Sequence, residues 1–79
     1  MNPSDSNQEI YLVITNEVDK KNAYKLADLL LKEKLIPCVT FQNIESSFWW
    51  EGNINQSKEV QLMIKCKKEN VNNVCNKIA

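Results

Sequence analysis

Trp49-Trp50-Glu51-Gly52 decides the fold predicted for this chain, because it holds both tryptophans and the only glycine among 79 residues. It separates two runs in which apolar and polar residues alternate, Val39 to Trp50 and Ile54 to Cys66. These runs predict two antiparallel strands that reverse direction at Glu51-Gly52-Asn53. A strand of a dozen residues is about 40 Å long, at about 3.3 Å per residue. Such a hairpin cannot cover both of its faces with so short a chain, so we expect assembly.

Length and composition predict one small domain, residues 9–79, behind a polar tail at residues 1–8 that we expect to be disordered. Basic and acidic residues balance at ten each, with neither arginine nor histidine. This composition argues against nucleic-acid binding, which relies on clustered positive charge. No run is long and apolar enough for a membrane span, and the tail does not resemble a secretion signal. We therefore expect a soluble, cytoplasmic protein without nucleic-acid or membrane partners.

The remaining segments predict one more strand and two helices. The run Ile10 to Ile14 is apolar throughout, which is typical of a central strand buried on both faces. Thr15 to Val18 is predicted as a turn, and Asp19 as the N-cap of a helix that ends near Lys34. A second apolar stripe at helical spacing, made by Val71, Val74, Cys75 and Ile78, predicts the second helix.

The first hairpin strand changes the phase of its alternation. Val39 and Phe41 share one face, whereas Ile44, Phe48 and Trp50 are in step with each other on the opposite phase. A period of two that slips by one residue indicates a bulge or bend, here between Gln42 and Glu45.

The order β-α-β-β-α predicts an α+β, ferredoxin-like fold with a long bent β-hairpin. That architecture has a closing strand, missing here, which follows the second helix and pairs with the first strand. We therefore expect either that the sequence is a fragment or truncated product, or that a partner chain covers the edge of Ile10 to Ile14.

Four stretches resemble the CutA family of divalent-cation tolerance proteins. They are Val13 to Asp19, Glu33 to Thr40 (EKLIPCVT), Ser47 to Ile54 (SFWWEGNI) and Glu59 to Cys66 (EVQLMIKC). The resemblance runs from about Ile10 to Ala79 at constant spacing. It implies a ferredoxin-like subunit that assembles as a homotrimer, with long hairpins that pair between subunits. It also implies a role in tolerance of copper and other divalent metals, with no enzymatic reaction.

The metal site of the family does not carry over to this sequence. In members that have a copper site, its ligands are a cysteine at the end of the first strand and a later histidine and glutamate. Thr15 stands at that cysteine position, and the chain has no histidine. Copper or another divalent metal is therefore expected as a ligand by analogy alone.

Cys38, Cys66 and Cys75 are an odd number of cysteines without a CxxC pair, which argues against disulfide stapling and for a reducing compartment. Cys38 is the candidate metal ligand, because a thiolate binds Cu(I). The competing interpretation, a small side chain in a crowded sheet, is favoured because no second ligand lies at metal spacing. Cys66 and Cys75 are predicted to pack in the core.

Five further residues are candidates for a pocket or an interface: Trp49, Trp50, Glu51, Glu59 and Lys65. The two tryptophans are predicted to lie on opposite faces, one against the chain's own sheet and the other against a neighbouring subunit. Glu51, Glu59 and Lys65 form either an anion- or ligand-binding pocket or a solvated surface with a weak ion pair.

Without histidine to activate a nucleophile, and with one glycine, the chain is not expected to be an enzyme. Three hypotheses follow from the sequence and the resemblance. The first is a homotrimeric metal-binding or metal-response protein. The second is a small-molecule-binding signalling trimer that resembles the nitrogen-regulatory trimers, and the third is a trimer that anchors other proteins.

Overall fold

The computed structural model describes residues 9–79, so the predicted disordered tail lies outside the described residues. Three strands and two helices follow one another as β1, α1, β2, β3 and α2. Their bounds are Ile10–Glu17 for β1, Lys20–Lys32 for α1, Cys38–Trp50 for β2, Asn53–Lys67 for β3 and Val71–Ile78 for α2. A short 3-10 turn at Lys68–Asn70 leads into α2. The fold is α+β, as predicted, and extends 50 Å along its longest axis.

The three strands form one antiparallel sheet in the order β1-β3-β2. β3 is therefore the central strand, paired with β1 from Ile10↔Lys67 to Glu17↔Val60 and with β2 from Cys38↔Lys65 to Trp50↔Asn53. The predicted hairpin is confirmed, with Glu51 and Gly52 alone in the turn. Both have positive φ angles, 51° and 77°, as a two-residue hairpin turn requires. The ferredoxin-like assignment needs a fourth strand and stays a prediction.

The two helices cover one face of the sheet and bury the core there. The core contains Ala23, Ala27, Leu30, Ile36, Val60, Leu62, Ile64, Cys66 and Val74, all less than 9% exposed. We call this the covered face. On β3 every second residue from Val60 to Cys66 lies on it, as the alternation predicts.

The opposite face of the sheet has no helix from residues 9–79 packed on it, and we call it the open face. Because residues paired across an antiparallel ladder share a face, the register places its members. The open face includes Ile10, Leu12 and Ile14 of β1, Ile44, Phe48 and Trp50 of β2, and Glu59, Met63 and Lys65 of β3.

Helix α1 begins and ends as its sequence dictates. Asp19 is the N-cap, and its side-chain Oδ1 accepts a hydrogen bond from the Asn22 N–H at 2.8 Å. At the other end, the Leu35 N–H donates to Leu30 O at 3.1 Å and the Lys34 N–H to Leu31 O at 3.0 Å. These two bonds form a Schellman motif, in which Lys34 takes the left-handed conformation at φ 58°.

The prediction that β1 is a central strand was wrong. β1 forms an edge of the sheet, continues through Thr15 to Glu17 in place of the predicted turn, and exposes Ile10, Tyr11, Leu12 and Ile14. The apolar run reported correctly that both faces carry apolar side chains. Burial of the open face, however, requires a layer that residues 9–79 do not supply.

The predicted bulge between Gln42 and Glu45 was also wrong. Residues Cys38–Trp50 pair one to one with Asn53–Lys65, so the ladder has no extra residue in that segment. The phase of the alternation changes for another reason. Near the helices the apolar residues Val39 and Phe41 lie on the covered face, whereas farther out Ile44 and Phe48 lie on the open face.

Helix α2 follows its predicted stripe with one exception. Val74 is fully buried and Val71 and Ile78 are partly buried against the core, but Cys75 is exposed, which corrects the prediction that it packs in the core. Cys75 lies beside Val74 on a helix of eight residues that is buried along one narrow stripe. Neither helix of the described residues is long and apolar enough to cross a membrane.

Candidate functional site

Cys38, the candidate metal ligand, begins β2 and is half-buried. It lines a cleft of about 390 Å³ between α1 and the start of β2, together with Tyr24, Asp28 and Phe41 among others. The rings of Tyr24 and Phe41 meet edge to face with centroids 4.8 Å apart, which fixes one wall of the cleft. The cleft thus brings a thiol, a carboxylate and a phenol to one side of the helix.

This donor set is small. No group of three or more His, Cys, Asp or Glu side chains within residues 9–79 is arranged to hold a metal ion. A thiolate suits Cu(I), and a carboxylate suits harder cations. Cys38 and Asp28 therefore provide at most part of a coordination sphere. Thr15, at the position where the family has a cysteine, lies half-buried on β1 opposite Leu62 of the covered face.

Lys65 and Glu59 do not form a common pocket. They lie six residues apart on β3, which places them about 20 Å from each other. Lys65 is paired directly with Cys38 on one side and with Leu12 on the other. Glu59 is paired with Ile44, nearer the turn of the hairpin. The cation therefore belongs to the neighbourhood of Cys38, an adjacency that the hairpin register reveals once the turn is placed at Glu51 and Gly52.

Trp49 and Trp50 lie on opposite faces, as predicted, but neither packs against the chain's own core. Trp49 is 72% exposed beside its ladder partner Ile54, and Trp50 is 63% exposed on the open face. The part of the prediction that placed one ring on the subunit's own sheet was wrong, because the helices end well short of the turn. Glu51 is exposed in the turn, where its backbone conformation is its visible contribution.

A second cleft, which sequence reasoning missed, lies between the start of α1 and the hairpin. Its volume is about 530 Å³, and its charged lining consists of Asp19, Lys20, Glu45, Lys58 and Glu59. Glu45 and Lys58 are paired directly across the ladder. Only that pair was visible as a signal in the sequence, through the hairpin register. The approach of Asp19 and Lys20 depends on tertiary packing.

Cys66 is chemically quiet in this fold. Its side chain is fully buried on the covered face. Burial raises the pKa of the Cys66 thiol above its usual value of 9.0, and the nearby Cys75 raises this pKa further. Cys66 therefore remains a protonated core residue at neutral pH and is a poor metal ligand, which confirms its predicted packing role.

Comparison with known proteins agrees with the resemblance seen in the sequence. The model of the CutA1 divalent ion tolerance protein family matches residues 11–79. The divalent-cation tolerance protein CutA of Pyrococcus horikoshii is 36% identical over 58 residues, which cover 73% of this chain and 57% of that protein. The corresponding protein of Thermococcus kodakarensis is 39% identical over 57 residues, covering 72% and 55% of the two chains.

Solved structures show the same fold. CutA1 from Ehrlichia chaffeensis matches with a TM-score of 0.85 at 32% identity, covering 90% of this chain and 67% of that one. The periplasmic divalent cation tolerance protein CutA from Archaeoglobus fulgidus matches with a TM-score of 0.82 at 28% identity, covering 89% and 69%. The chain spans about half the length of the curated relatives it matches. The sequence, the fold and the matching family model together show that the chain belongs to the CutA1 family of divalent ion tolerance proteins.

Proposed function

We propose that this chain acts in divalent-cation tolerance as a homotrimer that binds metal ions, copper first among them, and that it does so without catalysis. The names of its relatives support the general role. The three cysteines are free, which fits a reducing compartment such as the cytoplasm. The ferredoxin-like architecture and the trimer belong to the same proposal.

One observation carries the proposed assembly. Apolar side chains of β2 change from the covered face to the open face where the helices end, from Val39 and Phe41 to Ile44, Phe48 and Trp50. Large apolar groups clustered on a sheet face mark an interaction surface when the chain itself does not cover them. The hairpin therefore presents its apolar side to whatever replaces the helices. Copies of this chain around a three-fold axis would cover the three hairpins with each other.

The proposed metal site is the cleft at Cys38. Its thiolate is the ligand suited to Cu(I), and the neighbouring Lys65 ammonium favours the thiolate electrostatically. Asp28 lines the same cleft and offers a carboxylate for a divalent ion. Further ligands would come from neighbouring subunits, because residues 9–79 hold no group of three such side chains in one place.

Copper affinity tests this site directly. The reduced chain is titrated with Cu(I) in competition with a chromophoric chelator, and Cys38→Ser is compared with Cys75→Ser, an exposed cysteine on α2. We expect Cys38→Ser to abolish competition and Cys75→Ser to retain it. Equal binding by both variants would contradict the assignment of Cys38.

The charged cleft between α1 and the hairpin favours a second candidate function, small-molecule binding by a signalling trimer. It places Lys20 and Lys58 beside Glu45 and Glu59, a mixed lining that suits a ligand with charges of both signs. Under this alternative, Lys58→Ala or Glu59→Ala removes ligand binding and leaves copper uptake intact. An anchoring trimer, the third candidate, would survive these changes and Cys38→Ser alike.

A further inference from the structure

β1 forms an edge of the sheet, and its backbone groups alternate in direction. The Lys68 N–H donates to Glu9 O at 3.1 Å, which continues the β1–β3 register by one pair. In an antiparallel ladder, every second residue directs both its N–H and its C=O toward the same neighbour. Glu9 and the other odd-numbered residues therefore face β3. The N–H and C=O groups of Ile10, Leu12 and Ile14 point outward from the edge.

The same three residues also expose their side chains. Ile10, Leu12 and Ile14 lie on the open face, and their side chains are 42%, 49% and 54% exposed. Soluble proteins protect such edges with lysine, proline or a bulge. The strand from Ile10 to Asn16 contains none of these in its sequence or its pairing with β3. Its edge combines free backbone groups with a continuous apolar stripe, which is what an added strand requires.

We propose that β1 pairs antiparallel with β1 of a second copy of this chain, about a two-fold axis that passes beside Leu12. Leu12 then lies opposite Leu12 of the second copy, and Ile10 opposite Ile14. About six backbone hydrogen bonds form, since each of the three residues donates and accepts in both copies. The second β1 stands where the closing strand of a ferredoxin-like sheet would pair. Both pairs of helices stay on the same side of the joined sheet.

Charge selects this register over its neighbours. With Leu12 opposite Ile14, Glu9 would lie opposite Glu17 of the second copy, a like-charge pair that destabilises a ladder. With Ile10 opposite Leu12, Ile14 would pair beyond the first described residue of the other strand. In the proposed register Glu9 meets Thr15, and every outward-facing pair from Ile10 to Ile14 is apolar.

Amide hydrogen exchange on the unmodified chain tests the proposal. We expect exchange at Leu12 to slow by about tenfold or more as the protein concentration rises through the association range. Val13, whose N–H faces β3, serves as the internal reference and should not respond. Exchange at Leu12 that is independent of concentration, whether fast or slow, would overturn the proposal, because the edge would then be open or covered within one chain.

Three variants test the register. Leu12→Pro removes the outward N–H while sparing the ladder with β3, and we expect the mass of the assembly to halve. Ile10→Lys should weaken pairing, and adding Ile14→Glu should restore it at low salt, because the new charges face each other across the axis. Ile10→Lys with Ile14→Lys is the control and must not restore pairing. Restoration by both pairs, or by neither, would contradict the register.

The two-fold pairing is distinct from the proposed trimer. Trp50 lies at the far end of β2 from this edge. Trp50→Ala should therefore leave the concentration dependence at Leu12 in place even if it abolishes the three-fold contact. Failure of one proposal can be seen separately from failure of the other.

Discussion

Phe41 and Phe48 belong to the same strand, β2, and lie on opposite faces of the sheet. Phe41 is on the covered face, where its ring meets Tyr24 of α1. Phe48 is on the open face, beyond the reach of either helix. The strand between them runs without an extra residue, so its apolar pattern changes side because its surroundings change. The sequence of β2 therefore encodes two environments, one inside the chain and one that a partner provides.

Trp50→Ala should separate folding from assembly. Because Trp50 is 63% exposed, its loss should lower the stability of the single chain by less than about 1 kcal/mol. At a subunit interface, a buried tryptophan is expected to contribute about 2 kcal/mol or more. Analytical ultracentrifugation over a dilution series measures the second quantity, and urea unfolding of the dissociated chain measures the first.

Trp49→Ala is the matched control, because it removes the same ring from the opposite face of the same turn. We expect it to weaken assembly less than Trp50→Ala does. Equal effects of the two variants would show that the open face is not the side that partners cover.

Lys34→Gly should stabilise the chain by about 1 kcal/mol. Lys34 holds φ 58° at the end of α1, a conformation that costs an L-residue about 1–2 kcal/mol and costs glycine little. Lys32→Gly, inside the last turn of the same helix, should instead destabilise by about 1 kcal/mol. Thermal unfolding of both variants checks the opposite signs, and a loss of stability in Lys34→Gly would exclude the Schellman conformation.

Glu51→Asn should also stabilise the chain, by roughly 1 kcal/mol. Glu51 and Gly52 both have positive φ in the two-residue turn, and asparagine adopts that conformation more readily than glutamate. The midpoint of urea unfolding should rise without a change in slope. A midpoint that falls would show that the Glu51 carboxylate makes a contact which outweighs the backbone term.

Stability should decline at alkaline pH because of Cys66. Its pKa is raised in the folded state by burial and by Cys75, so above the usual value of 9.0 the unfolded chain loses a proton that the folded chain retains. The stabilising contribution is complete below pH 9.0 and falls as the pH rises through the folded pKa, by at most about 1.4 kcal/mol per pH unit.

Cys66→Val removes this titration at the same position, so its stability should decline less steeply between neutral and alkaline pH than that of the unmodified chain. Denaturant unfolding at a series of pH values measures the difference. Parallel declines in the two proteins would assign the alkaline loss to other groups, the lysines and tyrosines among them.

Local chemistry made much of the fold predictable. The turn residues Glu51 and Gly52 set the hairpin and its register, and Asp19 set the start of α1. Pairing within the sheet was harder to predict, because an apolar strand such as β1 looks the same whether it is central or waits at an edge for a partner.

The candidate sites were only partly predictable. The neighbourhood of Cys38 and Lys65 follows from the hairpin register, since opposite residues are fixed once the turn is known. The cleft at Lys20 and Lys58 brings together a loop and two strands, and no sequence period reports such an approach. The exposure of Cys75 was missed because an eight-residue helix buries too narrow a stripe to hold every apolar position.

The subunit number of the unmodified chain, measured by native mass spectrometry at micromolar concentration with reduced thiols, tests the central claim most directly. We predict a number divisible by three, a trimer or a pair of trimers joined through β1, and its loss in Trp50→Ala. A monomer or a simple dimer across the whole concentration range would contradict the three-fold assembly on which the proposed function rests.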